Sequence, residues 1–141
     1  MGVTPADWLI DKSVLARLAR PNVNDAVWPR IRRGAVGVSI LTELEMGHSA
    51  QSTSNYLETR QKLVDELIAV PLPCRAEARA REVQAALVES GQHRAVSIPD
   101  LLIAATAEVE GLTVLHYDAD FDLIASISGQ STEWIVPQGS I

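Results

Sequence analysis

Asp11, Glu43, Asp100, Asp118 and Asp120 each adjoin an apolar segment, a setting in which a carboxylate needs a reason to be. Asp100 lies in Ser97-Ile98-Pro99-Asp100-Leu101-Leu102-Ile103-Ala104-Ala105-Thr106-Ala107, where Ser97 is placed as the N-cap and Asp100 as the other half of a capping box. Helical spacing sets Asp100 on the same side as Ile103, Ala104 and Ala107, a stripe of small residues suited to lying close against a sheet. A carboxylate pointed inward costs several kcal/mol unless it is paired or bound to a metal. Glu43 shares a helical face with Ile40, Met46, Gly47 and Ala50, whereas Glu45 points to the opposite side, near Leu41 and His48. Oxygen donors without a cysteine or histidine set suit a hard cation, Mg2+ or Mn2+, rather than zinc. The chemistry open to such an ion is hydrolysis of a phosphodiester, by activating a water and neutralising the leaving oxygen.

Blander roles exist for single members of this set. Asp11 and Asp118 each stand where a helix N-cap would, and Asp120 falls in a first turn, where the helix dipole favours an anion. Glu43 lacks a Lys or Arg at positions 39, 40, 46 and 47 to pair with along a helix surface. Capping accounts for one carboxylate near residue 118, not for Asp118, Asp120 and Asp122 together.

Charge is unevenly spread. The net charge is −6, and all 12 Lys and Arg residues lie at or before Arg94, so everything from Ala95 onward is acidic or neutral. A bound divalent cation is the simplest compensation there, and the net charge argues against a broad basic surface for nucleic acid. The lone Cys74 rules out an internal disulfide framework and fits a reducing cytoplasm. Trp8-Leu9-Ile10 is too short for the apolar core of a signal peptide, and no apolar run approaches the roughly 20 residues of a membrane span.

These side chains need elements to position them, and the chain alternates short apolar strands with helices. Strands are expected at Ala6–Ile10, Ala35–Val38, Thr113–Tyr117 and Glu133–Val136, with an edge segment near Val70-Pro71-Leu72-Pro73. Helices are expected at 14–18, 24–33, 40–49, 52–68, 75–89 and from Ser97 on, with a short one after Asp118. Pro21 and Asn22 read as the end of the first helix and Pro29 as a break in the second, while Arg75, Arg79 and Arg81 read as a solvated face. The pattern implies an α/β fold with a mostly parallel sheet covered on both faces, and such folds place ligands at the carboxyl ends of their strands. Residues 1–141 are expected to form one domain with a frayed tail over about 137–141.

The stretches Leu9-Ile10-Asp11-Lys12-Ser13, Thr42-Glu43-Leu44-Glu45, Ile98-Pro99-Asp100-Leu101-Leu102-Ile103-Ala104-Ala105 and Val114-Leu115-His116-Tyr117-Asp118-Ala119-Asp120-Phe121 resemble, in order and spacing, the acidic motifs of PIN-domain ribonucleases. Length and motif wording are most similar to the VapC toxins of bacterial toxin–antitoxin pairs. The resemblance implies a PIN-like three-layer α/β/α fold and Mg2+- or Mn2+-dependent endoribonuclease activity on structured RNA such as tRNA or rRNA. It also implies a homodimer, a VapB-like antitoxin as inhibitor, and a larger toxin–antitoxin complex. Carried over by motif position, Asp11, Glu43, Asp100 and Asp118 form the acidic quartet, with Asp120 as the alternative for the fourth place and Ser13 as a hydroxyl beside the metal. No histidine is carried over as a general base. Arg17, Arg20, Arg30, Arg32, Arg33 and Arg94 are the candidates for meeting an RNA backbone.

Two other readings compete. A haloacid-dehalogenase-like phosphatase wants Asp-x-Asp after the first strand, where this chain has Asp11-Lys12-Ser13, and a response-regulator receiver wants a Lys near the last strand, where none stands. A PIN-like module that binds a partner without catalysis is the other, and the filled acidic positions weigh against it.

Overall fold

Leu9, Ile10, Val36, Val38, Val114 and Leu115 are all buried, consecutive residues pointing to opposite faces of their strands, so both faces of the sheet must be covered. The computed structural model describes residues 6–141, and the first five residues of the expected domain lie outside that range. Five strands, β1 (Trp8–Ile10), β2 (Val36–Ser39), β3 (Ile68–Val70), β4 (Thr113–His116) and β5 (Thr132–Trp134), form one sheet in the order β3-β2-β1-β4-β5. Every pairing is parallel, with Leu9 opposite Gly37 on one side and Val114 on the other. Seven helices accompany them among the described residues: α1 (Lys12–Leu15), α2 (Pro21–Arg32), α3 (Ile40–His48), α4 (Thr53–Glu66), α5 (Cys74–Glu89), α6 (Ile98–Glu110) and α7 (Asp120–Ser128).

The layers follow from strand alternation. Leu9 and Val114 pack with Leu87, Ile103, Ala104, Phe121 and Ile124, from α5, α6 and α7. Ile10, Val36, Val38 and Leu115 pack with Val14, Val23, Val27, Ile31 and Leu63, from α1, α2 and α4. This is the expected three-layer α/β/α arrangement, and its sheet is wholly parallel. Gly37 lets β2 and β3 come together, since a Cβ there would stand 2.5 Å from a methyl group of Val70 and 3.3 Å from the Ile68 carbonyl oxygen. None of the described helices is long and apolar enough to cross a membrane.

Local differences from expectation have local causes. Pro21 starts α2 rather than ending its predecessor, because proline's missing N–H is harmless at the first helical position. Pro29 does not break α2: it lies on the exposed face of the helix with Asp25, the residue whose carbonyl it leaves without an i+4 donor. Arg79 is half-buried and paired rather than free on a solvated face. It holds Glu108 on α6 through Nε at 2.8 Å and Nη2 at 3.2 Å, so an ion pair fastens α5 to α6. Gly139 N–H donates to the Tyr117 hydroxyl at 2.8 Å, tying the 137–141 segment back to the end of β4.

Candidate metal centre

Two of the carboxylates leave the sheet at the carboxyl ends of neighbouring strands. Asp11 directly follows β1 and caps α1, its Oδ2 accepting from the Ser13 amide at 3.0 Å, and it is 1% exposed. Asp118 follows β4 by one residue, and its Oδ1 accepts from the Asp120 amide at 2.9 Å. Because β1 and β4 pair directly, the two chain reversals lie side by side. The Ser13 hydroxyl ties them together by accepting from the Tyr117 amide at 2.9 Å.

The third carboxylate comes from the helix above. Ser97 caps α6 as expected, its Oγ accepting from the Asp100 amide at 3.2 Å, and this sets the first turn so that Asp100 points at the sheet edge, 6% exposed. One carboxylate oxygen each from Asp11, Asp100 and Asp118 lies within 4.8 Å of the others. Burial, followed by the charges of Asp11 and Asp118, pushes the Asp100 carboxyl up to about 7, while its hydrogen bond with the Ser97 side chain pulls the other way. Asp120 sits beside this group. Its carboxyl is also raised, by burial and by Asp118, against hydrogen bonds with Asp100 and with the Ser97 backbone.

An all-oxygen set crowded enough to raise its own protonation range is the donor chemistry of a hard divalent cation. The Oδ1 atom of Asp11 adds to this: it is buried and, among the described residues, has no hydrogen-bond partner. A carboxylate oxygen buried without a donor calls for a cation in the place a donor would occupy.

The other sequence candidates divide. Glu43 is half-buried and is not one of the converging carboxylates; it lines a groove between α3 and α4 with Ile40, Leu44, Tyr56 and Arg60. Glu45 is the α3 acid on the Asp11 side. Its Oε2 lies 3.4 Å from Nζ of Lys12, its Oε1 is buried without a partner, and it shares a cavity with Lys12 and Pro99. The Thr42 hydroxyl, one helical turn earlier, is also buried and unpartnered among the described residues. By sequence, Ile40, Met46, Gly47 and Ala50 mark an apolar stripe that carries Glu43, yet Ile40 is 46% exposed and the neighbouring Leu44 63% exposed. Ile40, Glu43 and Leu44 face that groove, while Leu41, Thr42 and Met46 turn toward the core and Glu45 toward Lys12. Asp122 accepts from the Trp134 indole at 3.1 Å and stands outside the cluster.

The arginines divide by strand polarity. Arg30 and Arg32 end α2 and Arg33 caps it, just before β2 begins, at the amino end of the sheet, whereas the carboxylates gather at its carboxyl end. Arg30 is also occupied, donating to Glu133 at 2.7 Å and lying 4.6 Å over the Trp8 ring. Arg17 lies at the site end, donating to the Ser13 carbonyl at 2.8 Å with its guanidinium 4.9 Å over the Tyr117 ring. Arg20 at the start of α2 and Arg94 in the loop entering α6 are exposed at that same end.

Comparison with known proteins follows the same outline. The PIN domain family model matches residues 8–127. Ribonuclease VapC2 of Mycobacterium tuberculosis is 49% identical over 136 residues, covering 93% of this chain and 94% of that protein. Ribonuclease VapC51 of the same species is 46% identical over 137 residues, covering 95% and 96%. Among solved structures, a DNA-bound VapBC from Salmonella typhimurium superimposes with a TM-score of 0.76 at 16% identity, over 93% of this chain and 99% of that one.

Proposed function

The chain belongs to the PIN-domain family of VapC ribonucleases, and on that footing we propose that it is an endoribonuclease toxin that cleaves structured RNA, of the tRNA or rRNA kind, with Mg2+ or Mn2+ as its cofactor. The observation that carries this reading is the convergence of Asp11, Asp100 and Asp118 within 4.8 Å. Those three would hold the ion, with Asp120 beside them and Glu45 in the place expected of Glu43. When bound, a divalent ion there supplies a polarised water and neutralises charge on phosphate oxygens.

The chain's own residues do the rest. Asp11 and Asp118 are held by the Ser13 and Asp120 amides, so their oxygens are aimed before any ligand arrives. The Asp100 carboxyl, pushed up to about 7, is poised to give up a proton when positive charge enters. Ser13 accepts from the Tyr117 amide and keeps its hydroxyl proton to donate toward a phosphate oxygen. Lys12 and Arg17 flank the acids and offer positive charge to the RNA backbone.

The proposal extends to one domain acting in the cytoplasm as a homodimer, held inactive by a VapB-like antitoxin in a larger complex. Relatives are named VapC ribonucleases and a structural neighbour is named a VapBC complex, which supports the toxin–antitoxin part of this reading. The test is digestion of total RNA by the purified protein with Mn2+, with EDTA, and with Asp100→Asn. Cleavage confined to the parent with metal is the expected result; equal cleavage by a folded Asp100→Asn protein would overturn it.

A further inference from the structure

Beside the acidic cluster lies a second feature, whose aromatic walls have no part in the cleavage chemistry. A cavity of about 650 Å³ opens between α1 and the turn after β4, with Lys12, Arg17, Met46, Tyr117, Asp118 and Trp134 among its walls. Ser13 and Asp118 belong both to this cavity and to the metal centre, so an occupant would adjoin the reacting phosphate. The volume lies within the range of small-ligand sites.

Its aromatic walls are fixed in advance. The Tyr117 and Trp134 rings meet edge to face, with centroids 5.3 Å apart at 88°. Each is anchored by its polar end: the Tyr117 hydroxyl accepts from the Gly139 amide, and the Trp134 indole donates to both carboxylate oxygens of Asp122 at 3.1 Å. Both side chains remain half-buried rather than buried. The Arg17 guanidinium is stacked over Tyr117, and its Nη1 is held by the Ser13 carbonyl. Two pinned aromatic rings, a guanidinium stacked on one of them and the half-exposed side chain of Lys12 combine flat ring systems with positive charge. That combination recognises an unpaired nucleotide, by stacking on the base and by attraction to its phosphate.

We propose that this cavity receives the unpaired base next to the scissile phosphate and so sets the base preference of cleavage. The proposal rests on the RNA-cleavage reading above. The cavity explains why the chain spends Trp134 and the tail beyond Pro137 on bracing Tyr117, a task the sheet alone does not require.

The test uses a random 20-nucleotide RNA pool, read in two ways. Cleavage with Mn2+ followed by sequencing of the fragment ends gives the base preference at the cut. Tryptophan emission during titration of the pool in EDTA reports binding without cleavage. The parent is expected to show a base preference at a position flanking the cut and a quenched emission. Tyr117→Leu and Arg17→Met are expected to flatten that preference and raise KM by about tenfold each, in line with loss of one stacking contact. Tyr117→Phe, which keeps the ring, is expected to retain it. Where Tyr117→Leu loses its fold, Arg17→Met and Trp134→Phe carry the comparison. An unchanged preference and KM in the folded variants would overturn the base site while leaving the nuclease reading intact. A parent that cuts nothing yet shows a quench lost in Arg17→Met would overturn the nuclease reading and leave the site. Neither cleavage nor quench would overturn both.

Discussion

The backbone N–H of Asp118 donates to Nδ1 of His116 at 3.1 Å, across a histidine that is 0% exposed. The imidazole is wedged between Phe121 at 5.1 Å and Trp134 at 4.9 Å, and burial holds its protonation below the ordinary histidine range. Nδ1 accepts this amide hydrogen bond, and so it fixes the turn that aims the Asp118 carboxylate. His116→Asn can offer an oxygen near the place of Nδ1; His116→Leu cannot. The expected outcome is a fall of about 10- to 100-fold in metal affinity for the leucine variant, as for loss of a group that orients a ligand, with partial recovery in the asparagine variant. Isothermal titration with Mn2+ measures it, and equal affinities in the two variants would remove the role.

The Asp100 carboxyl yields a pH prediction for the metal-free protein. Its range is raised from 3.8 to about 7 on folding, so the folded state prefers the protonated form. An acid raised in this way leaves stability intact below about pH 4 and erodes it as pH rises from there to about 7. The loss is a few kcal/mol at most. His116 acts oppositely, since its lowered range makes stability fall as pH drops below about 6.5. The difference between parent and Asp100→Asn isolates the first effect. In EDTA, Asp100→Asn is expected to match or trail the parent in Tm near pH 4 and to exceed it by several degrees at pH 8. Adding Mn2+ is expected to raise the Tm of the parent and to leave that of Asp100→Asn almost unmoved. A parent whose advantage over the variant grows with pH would contradict the crowded-carboxylate picture.

The two glutamates of α3 are distinguished by their surroundings. Glu45 has a buried, unpartnered oxygen and a lysine neighbour at 3.4 Å, whereas Glu43 faces the groove toward α4. Glu45→Gln is expected to lower RNA cleavage by at least tenfold with little change in Tm. Glu43→Gln is expected to stay within about threefold of the parent. Steady-state rates on one RNA substrate decide this, and the reverse ranking would return the fourth acidic place to Glu43.

This contrast marks where the sequence was legible. Asp11, Asp100 and Asp118 each announce themselves by a strong local rule: a strand ending, or a Ser97 cap with a small-residue stripe behind it. The order of strands and helices is legible for the same reason, since buried parallel strands are short apolar runs flanked by caps. In α3 the rule fails, because a nine-residue helix between the core and a groove has two apolar sides, and the sequence does not say which is covered. His116 escaped notice because in a strand it simply takes an inward position, and its value lies in an amide two residues on. Arg30 and Arg79 show the limit for charge: the pairing of Arg30 with Glu133 spans 103 positions, and no local pattern reports it.

Strand polarity makes the last prediction. Arg17, Arg20 and Arg94 lie at the carboxyl end of the sheet with the acids, and Arg32 and Arg33 at the amino end. An RNA strand whose phosphate sits at the metal centre can reach the first group and not the second. Binding of a 20-nucleotide RNA, measured against salt in EDTA, has a slope set by the number of phosphates neutralised, about 0.7 per contact for single strands. Arg20→Ala and Arg94→Ala are each expected to reduce that slope by up to this amount and to weaken binding at low salt. Arg32→Ala and Arg33→Ala are expected to leave both unchanged. If instead the amino-end variants flatten the salt dependence, the RNA crosses the opposite edge of the sheet and does not reach the metal centre past Arg17, Arg20 and Arg94.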